Sequence, residues 1–174
     1  SRSYKIREAA ALEVGAVAKI LGSAAFSQQL LETFVNLLKD NNTEVKKNAI
    51  KQLTPLSAVL PREAFLSKLF PFISTLATDT NAAITEQIAS VVIDLAPAFP
   101  EKTAALNESL VRCVVLDESL DGPDWRVREE VAKHMACLLS ATKDSPQQAK
   151  LLEIYLHLFV DTVSKVRETC RASL

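Results

Sequence analysis

Apolar and polar residues alternate along this chain with the period of a helix, and that alternation itself repeats. Five segments align, beginning at Lys5, Glu44, Ala83, Arg126 and Lys165. Their second residues, Ile6, Val45, Ile84, Val127 and Val166, serve as anchors and are separated by 39, 39, 43 and 39 residues. Four residues after each anchor stand Ala10, Ala49, Ile88, Val131 and Cys170. Eight after stand Val14, Leu53, Val92, Met135 and Leu174. Eleven after stand Val17, Leu56, Leu95 and Leu138. Every one of these is apolar, and the offsets trace one stripe on a 3.6-residue helix. They predict a recurring helix, here called helix B, with this stripe as its core face.

A second helix, helix A, precedes each anchor. Leu30, Phe34 and Leu37 lead to Asp40; Leu69, Ile73 and Leu76 lead to Asp79; Leu151, Tyr155 and Leu158 lead to Asp161, all at the same offsets. The stretch Leu106–Leu116 is helical in pattern but out of step. That places four extra residues in a lengthened loop around Gly122-Pro123. Polar turns such as Asn41-Asn42-Thr43 and Thr80-Asn81 join A to B, with residues that cap and bend a chain. Pro71 is expected to kink its helix A. One helical hairpin cannot bury its own apolar faces, but stacked hairpins can. The expected fold is therefore all-α, an α-solenoid. Its units run roughly over 1–24, 25–63, 64–102, 103–145 and 146–174, a window on a longer array.

Composition sharpens this reading. Of 174 residues, 48% are hydrophobic and only 3 are Gly. Gly15, Gly22 and Gly122 are too scattered to build a phosphate-cradling loop. Twenty basic residues stand against 21 acidic ones. Nucleic acid is not the expected partner, because phosphate tracking needs uncompensated positive charge. No run of 18 apolar residues predicts a membrane span. Three widely spaced cysteines, Cys113, Cys137 and Cys170, suit a reducing compartment rather than a disulfide framework.

An apolar run, an Asp, and then a Val-Arg some five residues on form a pattern that resembles HEAT repeats. By spacing, Asp40 is matched with Lys46 and Asp161 with Arg167, whereas Asp79 falls opposite Thr85. Among HEAT proteins the near-uniform 39-residue unit is most similar to the scaffold (A) subunits of phosphatase 2A, with the phosphatase 4 regulatory subunits as relatives. Asp124-Trp125-Arg126-Val127-Arg128 is similar to a WRVR turn of that family. Leu69-Phe70-Pro71, Asp79-Thr80-Asn81, Ile88–Ile93, Leu95-Ala96-Pro97 and Lys165-Val166-Arg167-Glu168 resemble further parts of it. The lengthened turn after Leu116 departs from the family.

The resemblance implies a non-catalytic scaffold. It would hold the catalytic and regulatory subunits of a phosphatase along the intra-repeat turns, in the cytoplasm, with the nucleus also open to it. Another HEAT adaptor, in transport, chromatin or translation, is the alternative. Carried over by position, Trp125 and Arg126 are expected to face partners, with Asp124 and Arg128 beside them and the turn residues Asp40, Asn42, Asp79, Asn81, Asp161 and Lys165 as weaker candidates. A Trp next to an Arg on a turn is a typical interface anchor. The alternative is that Trp125 only covers its own loop. Arg7, Lys46, Arg128 and Arg167 recur once per unit, either as ties between units or as a stripe for an acidic partner.

Sharper chemistry finds little support. His134 and Cys137 lie three apart on one helix, but no second pair completes a zinc site. Cys113 and Cys170 fall at apolar positions and read as core rather than as nucleophiles, which need an exposed, activated thiolate. His157 and the paired acids Asp117-Glu118 and Glu129-Glu130 read as solvated surface. No cofactor or metal is expected.

Overall fold

The computed structural model describes residues 3–114, 125–141, 143 and 146–173, and among them only helices and their short connections occur. They divide into two compact units, residues 1–75 and 76–174. The first holds α1 (Tyr4–Leu21), α2 (Ser23–Gln29), α3 (Leu31–Leu38), α4 (Thr43–Lys51), α5 (Leu53–Val59), α6 (Arg62–Lys68) and most of α7 (Phe70–Leu76). The second holds α8 (Ala82–Leu95), a 3-10 turn (Pro100–Lys102), α9 (Thr103–Val114), α10 (Trp125–Ala141), α11 (Pro146–Phe159) and α12 (Ser164–Ala172). The architecture is that of an all-α solenoid. In the first unit α3 packs on α4, and α1 on α4 and α5; in the second, α10 packs on α8, α9, α11 and α12.

Two of the helix breaks have local causes. Pro71 cannot donate to the carbonyl four residues back, and the path bends at Leu69, where α6 hands over to α7. Pro55 does the same in the preceding helix B, where α4 gives way to α5 at Gln52. Leu60, ahead of Pro61, is extended (ψ 148°) and ends α5. The bend at Leu30 between α2 and α3 has no proline behind it, and the bonds from Leu30 N–H to Phe26 and from Phe34 N–H to Leu30 run through it.

The core follows the predicted stripes with one exception. Val45, Ala49, Leu53 and Leu56 are fully buried, and so are Ile88, Val92 and Leu95, with Ile84 nearly so. Val131, Met135, Leu138, Val166 and Cys170 are buried as well. On the helix A side Leu106, Leu110 and Cys113 are buried at the spacing of Leu30, Phe34 and Leu37, so α9 keeps the helix A register. The lengthened loop around Gly122 lies outside the described residues.

The exception is α1, and it corrects the sequence expectation. There the stripe faces outward: Ile6 is 61% exposed and Val17 36%. The buried face is instead Ala11, Gly15 and Ala18, one residue round the helix. These small residues admit α4 and α5 at close range. The Gly15 N–H donates to Gln52 Oε1 (3.1 Å), and a Cβ built at Gly15 would stand 2.6 Å from that oxygen and 3.0 Å from Pro55 Cγ.

Candidate protein-binding site

Each of the A-to-B turns among the described residues is organised by an Asp. Asp40 Oδ1 accepts from the Asn42 N–H (2.9 Å), and Asn42 Oδ1 in turn accepts from the N–H groups of Glu44 and Val45, capping α4. Asp79 and Asn81 repeat the arrangement at α8: Asn81 N–H to Asp79 Oδ1 (2.9 Å), Ala83 N–H to Asn81 Oδ1 (3.0 Å). At α12 the Asp161 carboxylate accepts from the Val163 N–H (2.8 Å), but Val163 has replaced the capping Asn. Arg167 fills in from the helix side, donating to the main-chain oxygens of Asp161 and Thr162.

Two of these carboxylates, Asp40 and Asp161, reach backward along the array. Arg7 grips Asp40 with two parallel bonds, Nε to Oδ2 (2.5 Å) and Nη2 to Oδ1 (3.1 Å). Arg128 grips Asp161 in the same way, at 2.6 and 3.1 Å. This corrects the pairing expected from local spacing. Asp40 takes Arg7 rather than Lys46 as its ion-pair partner. The Asp161 carboxylate takes Arg128, while Arg167 holds the main chain beside it. The reason is geometric: an Arg at the start of one helix B lies over the next turn of the stack, 33 residues on in both cases. A fork-shaped guanidinium matches a carboxylate there better than a lysine ammonium would.

Electrostatics follow the geometry. The Arg7 hydrogen bonds hold the Asp40 carboxyl below the ordinary range, against the opposing effect of its burial. Burial works to raise Asp161, but the bonds from Arg128 and the Val163 N–H, with the charges of Arg128 and Arg167, outweigh it and leave it lowered. The Arg7 guanidinium is raised in return, chiefly by its bond to Asp40.

Of the sequence-predicted contact residues, Trp125, Arg126 and Arg128 sit on the first turn of α10, and Asp161 and Lys165 on the turn and first turn of α12, which packs on α10. Arg128 and Asp161 spend their charge on each other. Arg126 is exposed and stacks over the half-buried Trp125 ring, 4.7 Å from guanidinium carbon to ring centroid. Lys165 is exposed. Asp124 lies outside the described residues, as do Asp117, Glu118 and the Cys137 side chain. Glu129 points to Lys133 (3.8 Å) and accepts from the Thr169 hydroxyl (3.5 Å).

The described cysteines are buried thiols. Desolvation pushes Cys113 up to about 12, and its sulfur faces the Ala77 carbonyl at 3.9 Å. Cys170 is likewise raised by burial, with its thiol toward the Tyr155 carbonyl. His157 is exposed. Among the described residues no three His, Cys, Asp or Glu side chains are grouped to hold a metal, and no helix is long and apolar enough to cross a membrane.

Comparison with known proteins agrees with this architecture. Residues 23–99 match the family model PPP2R1A-like HEAT repeat. Over this stretch the chain is similar to the HEAT repeats of the phosphatase 2A scaffold. It is 27% identical over 124 residues to a human relative, the beta isoform of the 65 kDa regulatory (A) subunit of serine/threonine-protein phosphatase 2A. That alignment takes in 69% of this chain and 20% of the relative, so the chain spans about a fifth of that protein's length. Two engineered proteins of known crystal structure share the fold. One superposes with a TM-score of 0.63 at 20% identity, over 99% of this chain and 73% of its own. The other has a TM-score of 0.64 at 21% identity, over 100% and 75%.

Proposed function

We propose that this chain is a stretch of a scaffold subunit of a phosphatase-2A-type serine/threonine phosphatase, and that it works by holding protein partners rather than by catalysis. One observation carries the reading. Trp125 and Arg126 are stacked on each other at the start of α10, half-buried and exposed respectively. The neighbouring Arg128 is already committed to Asp161. An aromatic ring kept partly open and pre-ordered by an arginine is the kind of group that carries interface energy. The similarity to the human beta isoform supports the phosphatase assignment. Lys165 extends the same edge.

On this reading the catalytic and regulatory subunits bind along the turns, in the cytoplasm and also the nucleus. The five repeat units inferred from the sequence are the positions they would read. Scaffolding accelerates reactions by raising the local concentration of one bound protein near another. The test is capture of purified phosphatase 2A catalytic subunit on the immobilised chain. Trp125→Ala is expected to weaken capture at least about tenfold, roughly 1.4 kcal/mol, as loss of an anchor does, with the melting temperature unchanged. Wild-type chain that captures no catalytic subunit would remove the phosphatase reading. Capture untouched by Trp125→Ala would move the interface elsewhere.

A further inference from the structure

Asn48 of α4 is buried, at 7% exposed, and among the described residues its carboxamide has no hydrogen-bond partner. Ser109 is buried as deeply, but its hydroxyl donates to the Ala105 carbonyl (2.9 Å). The position of Asn48 follows from its neighbours. α1 and α4 lie side by side and run the same way. Arg7, near the start of α1, reaches Asp40 just ahead of α4; Gly15, further along α1, meets Gln52 and Pro55 just beyond α4. Asn48 stands four residues before Gln52 and seven before Pro55, on the face that those two turn to α1. One turn before Gly15 on α1 is Ala11, which is fully buried. The two levels of the contact differ in chemistry. Gly15 has no Cβ, and Gln52 reaches through to its main-chain N–H (3.1 Å). Ala11 carries a methyl group, and Asn48 is left without such a bond.

A buried amide without a protein partner forfeits hydrogen bonds that it makes freely in water. Here those bonds are completed only by water that comes between α1 and α4. Opening the contact therefore recovers at Asn48 part of what it loses in apolar burial, and the joint is softer than its packing of small residues would make it. We propose that Asn48 is a release point built into the fold, which makes the α1–α4 joint the place where this part of the array flexes. The Arg7–Asp40 ion pair ties the two helices at one end of the joint while the rest of it opens. A leucine at position 48 has the same γ-branched outline, with methyl groups in place of oxygen and nitrogen, and would tighten the contact. The inference is independent of the phosphatase reading.

The experiment is amide hydrogen exchange on the 174-residue chain, which follows local opening below global unfolding. Asn48→Leu is expected to slow the protected amides of α1 and α4 about tenfold, equivalent to roughly 1.4 kcal/mol. The amides of α6, which lies in the same unit and packs on α5, should change by less than about twofold, because they do not report on this joint. Asn48→Ala removes the amide without adding volume and should slow the same amides; it replaces the leucine variant if circular dichroism shows that variant to be unfolded. Lys51→Ala, at an exposed position of the same helix, controls for helix propensity and should leave the α1 amides as they are. Exchange that is slowed in neither Asn48 variant would overturn the proposal. So would slowing shared equally by α1, α4 and α6, the mark of general stabilisation, or slowing by Lys51→Ala as large as that by Asn48→Ala.

Discussion

A single carboxylate does two jobs in the Asp40 and Asp161 turns. Asp161 orders the backbone ahead of α12 through the Val163 N–H and ties that turn to the preceding helix B through Arg128. Its side chain is 7% exposed and that of Arg128 15%, so solvent screens the pair only weakly. Arg128→Ala leaves a largely buried carboxylate without its fork. The expected loss is about 2 kcal/mol, the scale of a charge-assisted hydrogen bond removed from one side, read as a fall in urea midpoint. Asp161→Asn should cost a similar amount, and the double variant less than the sum, because the two changes break one contact. Such a contact was legible in the sequence only in part. The Asp positions stood out, but local spacing pointed to Lys46 and Arg167. The separation that matters, 33 residues in both Arg7/Asp40 and Arg128/Asp161, was present and is recognisable once stacking is considered.

At the scale of the element, the helices were largely readable and their rotation was not. A period of 39 with apolar residues at offsets 0, 4, 8 and 11 fixes where helix B runs and which face is buried, as α4, α5 and α8 show. In α1 the same offsets face outward, because the face chosen for burial depends on which neighbours are present. Small residues decided it there. Gly15 had no local meaning in the sequence, yet it is where α1 meets Gln52 and Pro55. Gly15→Ala gains roughly 1 kcal/mol of helix propensity and meets overpacking of about 1–3 kcal/mol. The proline ring cannot rotate away, and displacing Gln52 breaks its bond to the Gly15 N–H. A net destabilisation of about 1 kcal/mol is expected in chemical denaturation. Adding Gln52→Ala should recover part of it, since the contact at 2.6 Å disappears while that with Pro55 remains. The half-exposed Trp125 was legible for a different reason: it is the single Trp of the chain, and it stands where a turn begins a helix.

For the whole molecule, the lowered carboxyls at Asp40 and Asp161 are expected to contribute to the acid response. Each has a folded pKa below its unfolded value near 3.9. The unfolded chain therefore binds protons first as pH falls, and stability falls with it. Both contributions are fully present above about pH 4 to 5 and are lost as the pH drops through the folded values. Melting temperature should be level from pH 7 to about 5 and decline steeply below about 4. In Asp161→Asn the neutral-pH value should be lower and the acid decline shallower. A decline unchanged in that variant would place the acid sensitivity in other carboxyls. Near-neutral net charge, first useful for setting nucleic acid aside, is consistent with carboxylates and guanidiniums that are placed to answer each other.

The backward reach of Asp40 and Asp161 also decides where such an array can be cut and rejoined. Each rung joins residues 33 apart, so a cut anywhere between the Arg and the Asp hands its two halves to different pieces. Exchange of segments between related arrays, by recombination or by design, therefore keeps a rung across such a cut only where the incoming piece brings an Asp to meet the Arg already present. A join placed just after the turn Asp leaves both halves on one side, whereas grafts that carry only a turn inherit a carboxylate whose partner was left behind in the donor.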